Sequence, residues 1–282
     1  MPRVAYVNGL YVPHRDAALP IEDRGCQFAD AVYEVLPVAG GRVRHLEQHM
    51  DRLGRSLAAL SIAWPVARRV LPVILHEVAR RNRLAEGVLY LQVSRGAAHR
   101  SHPFPAGVSS GLVVYGWPQK GPSAAVLAAG VAVVTRPDER WRRPDIKTVG
   151  LLPNVLARQA AKEEGAYEAW LVDADGRVTE GSATNAFIVG ADGRIVTHPT
   201  DSRILGGVTR SNLLDLARRA GMTVEERPFT VAEALAAREA FLTSSTVMLL
   251  PVVRVDGRPV GDGTPGPVAA RLRALYQDLR GR

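Results

Sequence analysis

The chain is 282 residues long, 46% hydrophobic and 23% charged, with a formal net charge of +8. That length allows two modest domains, and the balance of apolar and charged residues is that of a soluble globular protein, not of a disordered or fibrous one. No apolar run reaches the ~18–20 residues that span a bilayer, and the opening MPRVAYVNGLYVPHRDA lacks the apolar core of a secretory signal, so neither a membrane nor a secreted protein is expected.

VAYVNGLYVP alternates and turns at Asn8-Gly9, a strong two-residue hairpin signal. Cys26 is the only cysteine in the sequence; it excludes an internal disulfide and points to a reducing cytoplasm. A second extended segment lies in AVYEVLPVAGGRVRHL. Leu46, Met50, Leu53, Leu57 and Leu60 then recur at helical spacing, an apolar stripe read as core. Residues 66–83 form another helical pattern, with Pro72 in its first turn or at a kink. GVLYLQVSRG and SGLVVYGW read as strands on either side of the loop AAHRSHPFPAGVS. WPQKGPSAA has the composition of a linker, which places a small N-terminal α/β domain at 1–118, a linker at 119–124 and a larger C-terminal domain at 125–282. Beyond it AGVAVVTR, AWLVDADGRVTEG and NAFIVGADGRIVTHP read as strands. The last two carry Asp-Gly turns, Asp175-Gly176 and Asp192-Gly193, so an antiparallel region is expected. Helices follow at 209–220, at 231–239 with Thr230 and Glu233 as a capping box, and at 267–280. Strands and helices do not alternate regularly, so the expected fold class is α+β.

Of the 36 basic residues, three are lysines and the other 33 arginines. They are scattered and interleaved with acids, so no nucleic-acid partner is expected. The scarcity of lysine is a filter for amine chemistry. Lys120 sits in a Pro/Gly-rich stretch, and Lys162 lies near the end of a helix closed by Gly165, where its charge suits the helix C-terminus. Lys147 is different. Its neighbours Ile146, Val149, Leu151 and Leu152 predict a buried extended segment ahead of a helix beginning near Pro153. On position alone two readings stay open. One is an amine activated by desolvation or by Arg142 and Arg143; the other is a structural lysine that snorkels or pairs with Asp145.

ILGGVTRSNLLDLARRAG puts Gly206 and Gly207 directly before a helix, whose free N–H groups attract anions, and Thr209 adds a hydroxyl. Thr243-Ser244-Ser245-Thr246 is a second hydroxyl cluster, and Arg52 is a candidate counter-charge. Glu180, in TEGSATN, reads from position alone as a solvated turn residue. No nucleotide-binding glycine motif is present, and His99 and His102 alone do not make a metal site, so no metal is expected.

EDRGCQFADAVYEV, HMDRL, SRGAAHRSHPFP, DIK with LLPNVLARQAAKEEGAYEA, VTEGSATNAF, HP, ILGGVTR and LTSSTVMLLPV occur in one order over nearly the whole chain. Together they resemble the fold type IV pyridoxal-phosphate enzymes, and among them the D-amino-acid aminotransferases. The resemblance implies a two-domain α+β enzyme with pyridoxal 5′-phosphate in the larger domain. It makes Lys147 the Schiff-base lysine and proton shuttle, and sets Glu180 against the pyridine nitrogen. It assigns the 5′-phosphate to Arg52, Val208, Thr209 and Ser245, and packs Leu205 on the cofactor ring. Tyr33 with Arg100 and His102 would trap the substrate α-carboxylate, a task for which the planar fork of arginine is suited. The loop at 96–107 would reach the active site of a partner subunit in a homodimer. Ping-pong transamination between a D-amino acid such as D-alanine and a 2-oxo acid such as 2-oxoglutarate is the implied reaction. Other readings are a branched-chain L-aminotransferase, an (R)-amine transaminase or an aminodeoxychorismate lyase on the same scaffold. A non-catalytic basic binding protein is the reading from another class.

Overall fold

Asn8 and Gly9 both take positive φ, 45° and 101°, the backbone that a tight Asn-Gly turn needs to match the twist of its strands. They close β1 (Val4–Val7) onto β2 (Leu10–Pro13), with Val7 opposite Leu10. The computed structural model describes residues 3–281. Next come α1 (Arg24–Phe28), β3 (Ala31–Ala39) and β4 (Arg42–Val43), then α2 (Leu46–Ala59), α3 (Leu71–Arg81), β5 (Gly87–Ser94) and β6 (Gly111–Pro118). The strands form one antiparallel sheet in the order β2-β1-β6-β5-β3-β4. Met50, Leu53 and Leu57 of the predicted stripe are buried, with Leu46 and Leu60 packed at the edge of the same core. Pro72 occupies the first turn of α3, where a missing N–H costs nothing.

The chain divides into two compact units, Met1–Lys120 with Ile146–Gly150, and Gly121–Asp145 with Leu151–Arg282. The return of 146–150 to the first unit is a feature that a linear boundary does not reveal. Inside the expected linker Ser123 caps a short helix, α4 (Ala124–Ala129), its side chain accepting from the Val126 N–H.

The second unit continues with β7 (Val131–Pro137), α5 (Leu152–Glu163), β8 (Glu168–Val172), β9 (Arg177–Gly181), β10 (Asn185–Val189) and β11 (Ile195–Thr197). It goes on through α6 (Val208–Arg219), β12 (Val224–Glu226), β13 (Phe229–Thr230), α7 (Val231–Ala236), β14 (Glu239–Ser244), β15 (Met248–Val255), β16 (Arg258–Pro259) and α8 (Pro267–Gly281). Both Asp-Gly turns join antiparallel pairs, β8 with β9 and β10 with β11. The sheet as a whole is mixed, because β7 runs parallel to both β8 and β15, and β11 parallel to β12. Both faces of its centre are buried. Ala186 and Ile188 enter one core, while Phe187 and Val189 enter another with α6 and α8, where Phe187 stacks on Phe241 at 4.7 Å. Two-sided burial explains why NAFIV reads as a continuous apolar run. The Thr230–Glu233 capping box is present, although α7 ends at Ala236, short of the expected 239. Among the described residues no helix is long and apolar enough to cross a membrane.

Candidate functional site

In the first unit, the segment at 146–150 is laced to β3 and α2. The Tyr33 N–H donates to the Lys147 carbonyl at 2.9 Å, and the Val149 N–H to that of Ala31 at 3.1 Å. The Lys147 N–H donates to Ser56 Oγ at 3.3 Å. These ties, with Ile146 in the core, hold the Lys147 backbone while its half-buried amine lies 4.2 Å from the centre of the Tyr33 ring. The segment departs from the expected strand. Only Thr148 pairs, with Val32, as an isolated bridge; Val149 and Leu151 are half-buried, and Leu152 is 68% exposed at the start of α5. Two of its backbone bonds reach β3, one reaches Ser56 of α2, and the Thr148 N–H turns back to the Ile146 carbonyl at 2.8 Å, so no ladder forms. Asp145 is taken by a fork from Arg143, at 2.9 Å on each oxygen. Lys120 and Lys162 are both exposed.

Arg52 sits on the inward face of α2, 5% exposed. Its Nε and Nη2 grip the two oxygens of Glu34 at 2.8 and 2.7 Å, and His49 Nδ1 meets Glu34 Oε2 at 2.7 Å. Alternation in β3 turns Glu34 into the core between Val32 and Leu36, so it must be paired to be tolerated. Burial works to raise the Glu34 pKa, but the Arg52 guanidinium and the hydrogen bonds overcome it and hold the carboxyl at about 2. For His49 burial is the main cause of a lowered pKa, helped by Arg52 and Lys147 against the pull of Glu34. Arg52 therefore presents an aligned, permanently charged guanidinium.

Tyr33 neighbours Lys147 and stacks on Tyr90 at 5.5 Å. Arg100 and His102, both exposed, gather instead on Phe28, 5.0 and 5.3 Å from its ring.

In the second unit Glu180 is the penultimate residue of β9, at 4% exposure. Its carboxylate accepts from Asn185 Nδ2 at 2.9 Å, from the Leu205 N–H at 3.0 Å, and from Arg140 Nη1. Each of these partners is a donor, so Glu180 is held as a carboxylate anion. Glu180 is thus a buried carboxylate and not the solvated turn residue that its position implied. Arg140 is also forked by Asp138, at 2.9 and 2.8 Å. Burial opposes its charge, yet Asp138 and Glu180 prevail and its pKa is raised. Leu205 is half-buried and returns its carbonyl to Asn185 at 3.0 Å. Gly207 is the N-cap of α6 and no side chain caps it, so the first N–H groups, those of Val208 and Thr209 among them, are left for an anion. A Cβ on Gly207 would lie 2.1 Å from Asn185 Oδ1, which is why the turn needs glycine. Ser245 stands in the turn after β14, two residues past Thr243, which pairs across the sheet with Asn185.

Sequence reasoning missed Glu34, Arg140 and Asn185. A carboxylate on the apolar face of β3, with His49 and Arg52 three residues apart on the next helix, was a readable signal. Arg140 carried none, being one arginine among 33. Among the described residues no group of three or more His, Cys, Asp or Glu could hold a metal.

The model of the amino-transferase class IV family matches residues 31–255. The D-alanine aminotransferase of Bacillus licheniformis is 39% identical over 96% of this chain and 95% of its own length. That of Listeria innocua serovar 6a is 36% identical, covering 96% and 93%. Among solved structures, the T.th. branched-chain amino acid aminotransferase with pyridoxamine 5′-phosphate superposes with a TM-score of 0.92 at 27% identity, over 99% of this chain and 94% of that one.

Proposed function

The chain belongs to the class IV aminotransferases, and on that premise we propose that it moves the amino group of a D-amino acid, D-alanine foremost, to a 2-oxo acid such as 2-oxoglutarate, with pyridoxal 5′-phosphate carried on Lys147. The observation that carries the reading is Lys147 itself: the other two lysines are exposed, while this one is tied through its backbone to β3 and α2 with its amine beside Tyr33. The residues present suit the cofactor. An uncapped helix start behind Gly207 matches a phosphate, and a buried carboxylate surrounded by donors matches a protonated ring nitrogen.

Bound, the cofactor supplies a sink for the electron pair left when the substrate Cα loses its proton. Lys147 Nζ takes that proton and returns one to the carbon that keeps the nitrogen. Glu180 holds the proton on the ring nitrogen, and Arg140 keeps Glu180 aligned. Val208, Thr209 and Ser245 bind the phosphate with Arg52, which Glu34 and His49 orient. Leu205 packs on the ring. Arg100, His102 and Tyr33 bind the α-carboxylate and so decide the hand of the substrate. Arg100 and His102 gather on Phe28 and not on Tyr33, which suits a loop at 96–107 that serves a second copy. The homodimer is also favoured by Leu152, Val155 and Leu156, an apolar stripe on α5 that is 68, 57 and 59% exposed in one copy. An exposed, unpaired Cys26 fits the cytoplasm. Residues 1–118 would be the small domain and 125–282, apart from the segment at 146–150 that returns to the first unit, the cofactor-binding domain.

The visible spectrum of the purified protein tests the reading. Bleaching of the cofactor band by D-alanine and not by L-alanine is expected. Bleaching by the L-isomer alone would move the enzyme to the branched-chain reading, which the likeness to the T.th. structure also fits. No band, even with added pyridoxal phosphate, would refute the assignment. Arg100→Ala should raise the KM for D-alanine about tenfold or more with a smaller change in kcat; an unchanged KM would remove Arg100 from the trap. Gel filtration with light scattering should give twice the mass of the 30.4 kDa chain, and a monomer would exclude the shared site.

A further inference from the structure

The loop that carries Arg100 and His102 is gripped at its root and again near its tip. At the root, the Arg24 N–H donates to the Gly96 carbonyl at 2.9 Å and the Ala98 N–H to that of Glu22 at 3.3 Å. Asp23 pairs with Ala97, and its carboxylate accepts from the Gly25 N–H and from Ser94 Oγ at 2.8 and 2.7 Å. Farther out, the Arg24 side chain divides its fork. Nε goes to Asp30 Oδ2 at 2.8 Å, Nη1 to the Ser101 carbonyl at 2.5 Å, and Nη2 to the His102 carbonyl at 3.2 Å. Its guanidinium also lies 4.7 Å from the Phe28 ring, on which Arg100 and His102 gather.

Asp30 is itself held from the other side. Arg95 donates to its two oxygens at 2.7 and 3.0 Å, also donates to the Leu60 and Ser61 carbonyls at 2.7 and 2.9 Å, and lies 3.5 Å from the Phe104 ring. Two buried arginines thus converge on one aspartate, Arg24 at 3% and Arg95 at 7% exposure. Burial alone would raise the Asp30 pKa, but the two guanidiniums reverse it and keep the carboxyl ionised. This is a costly arrangement for an exposed loop, since ordering such a segment opposes its entropy and desolvating two cations opposes their hydration. It suits a loop whose backbone must be fixed before substrate arrives.

We propose that Arg24 is a positioning residue for carboxylate recognition: its fork, anchored on Asp30, fixes the Ser101 and His102 carbonyls and so sets where Arg100 and His102 point. The inference rests on the reading of Arg100 and His102 as the carboxylate trap. It requires the planar fork, because bonds to Asp30 and to the Ser101, His102 and Pro103 carbonyls leave from one guanidinium; a lysine ammonium supplies the charge without that geometry.

The test compares Arg24→Lys, Arg24→Met and Arg100→Ala in the full-length, cofactor-loaded protein. Steady-state KM and kcat are measured for D-alanine, with hydrogen exchange of the amides at 99–106 in each variant. Asp30 keeps Arg95 in every case, so Arg24→Lys folds even if Arg24→Met does not. Expected are faster loop exchange and a KM raised about tenfold in both Arg24 variants, with kcat changed less than about threefold. Wild-type KM in Arg24→Lys would overturn the proposal, because charge alone would then suffice. Faster exchange with unchanged KM would overturn it too, leaving the clamp a fold device. If Arg100→Ala raises KM while neither Arg24 variant does, the positioning role alone fails. If Arg100→Ala leaves KM unchanged, the trap reading fails and takes the positioning role with it.

Discussion

Glu34 and Glu180 are both strand carboxylates, 0 and 4% exposed, and each is held by an arginine. The likeness ends with their partners. Glu34 accepts a bidentate fork from Arg52 and one bond from His49, both from a single face of α2; it serves to aim a cation. Glu180 draws its donors from three separate segments, Arg140, Asn185 and the Leu205 backbone; it is itself the group being aimed. A buried carboxylate's role is therefore read from what surrounds it, not from its depth. Glu77 makes the point from the surface. Hydrogen bonds from Arg80 and Arg81 hold it at about 2, as low as Glu34, yet it is a solvent-side pair on one helix, where ion pairs contribute little.

The largest effect expected is at the amine that both carboxylates would serve. Lys147→Ala should lower transamination by at least about a thousandfold while the protein still binds cofactor, and measurable turnover near wild type would refute its role. Glu180→Gln keeps the shape but removes the charge opposite the ring nitrogen. Its kcat should fall about a hundredfold, with a shifted cofactor absorbance, and stability should change less because Arg140 retains Asp138.

Glu34→Gln should show the opposite balance. It strands Arg52 and His49 in the core, which costs about 3–5 kcal/mol in urea unfolding, and it weakens cofactor binding more than it slows the bound enzyme. Should Glu34→Gln lose mainly kcat and Glu180→Gln mainly stability, the contrast between the two carboxylates would be reversed. Acid titration sharpens it. The folded pKa of Glu34, about 2, lies below its ordinary 4.5, so the stabilisation is fully present above pH 4.5 and is lost as pH falls toward 2. The lowered pKa of His49 acts with the same sign, beginning as pH drops below its ordinary 6.5. Glu34→Gln should flatten the acid limb between pH 4.5 and 2 in thermal melts; an unaltered limb would remove Glu34 as its source. The smallest effect is expected for Glu77→Gln, whose melting temperature should match wild type within error.

Local signals were legible wherever geometry is set by adjacent residues. Asn8-Gly9, Pro72, the Asp-Gly turns and the Thr230–Glu233 box each act within a few residues, and each stands where it was expected. The residues alone pointed to the Gly206-Gly207 turn and to Arg52 as a counter-charge, whereas Glu180, which position alone ranked as solvated, came only from the motifs that resemble a known family. Illegible were contacts whose partners lie far apart in sequence. Asp30 and Arg95 are 65 residues apart, Arg24 and Ser101 77, and Lys147 and Ser56 91.

By itself, then, the sequence determined the turns, the amphipathic helices, the α+β class and the one lysine worth following, because backbone preference and hydrophobic period are local. Only the tertiary structure decided that the second sheet is mixed, that 146–150 returns to the first unit, and that Arg24 and Arg140 stand out among 33 arginines. Arg24 and Arg95 share Asp30, Arg52 forks Glu34, and Arg140 meets Glu180, each on a carboxylate that the fold largely shields. Burial and partner come from the folded chain, and in a low-dielectric interior they, not residue type, set what a charge does.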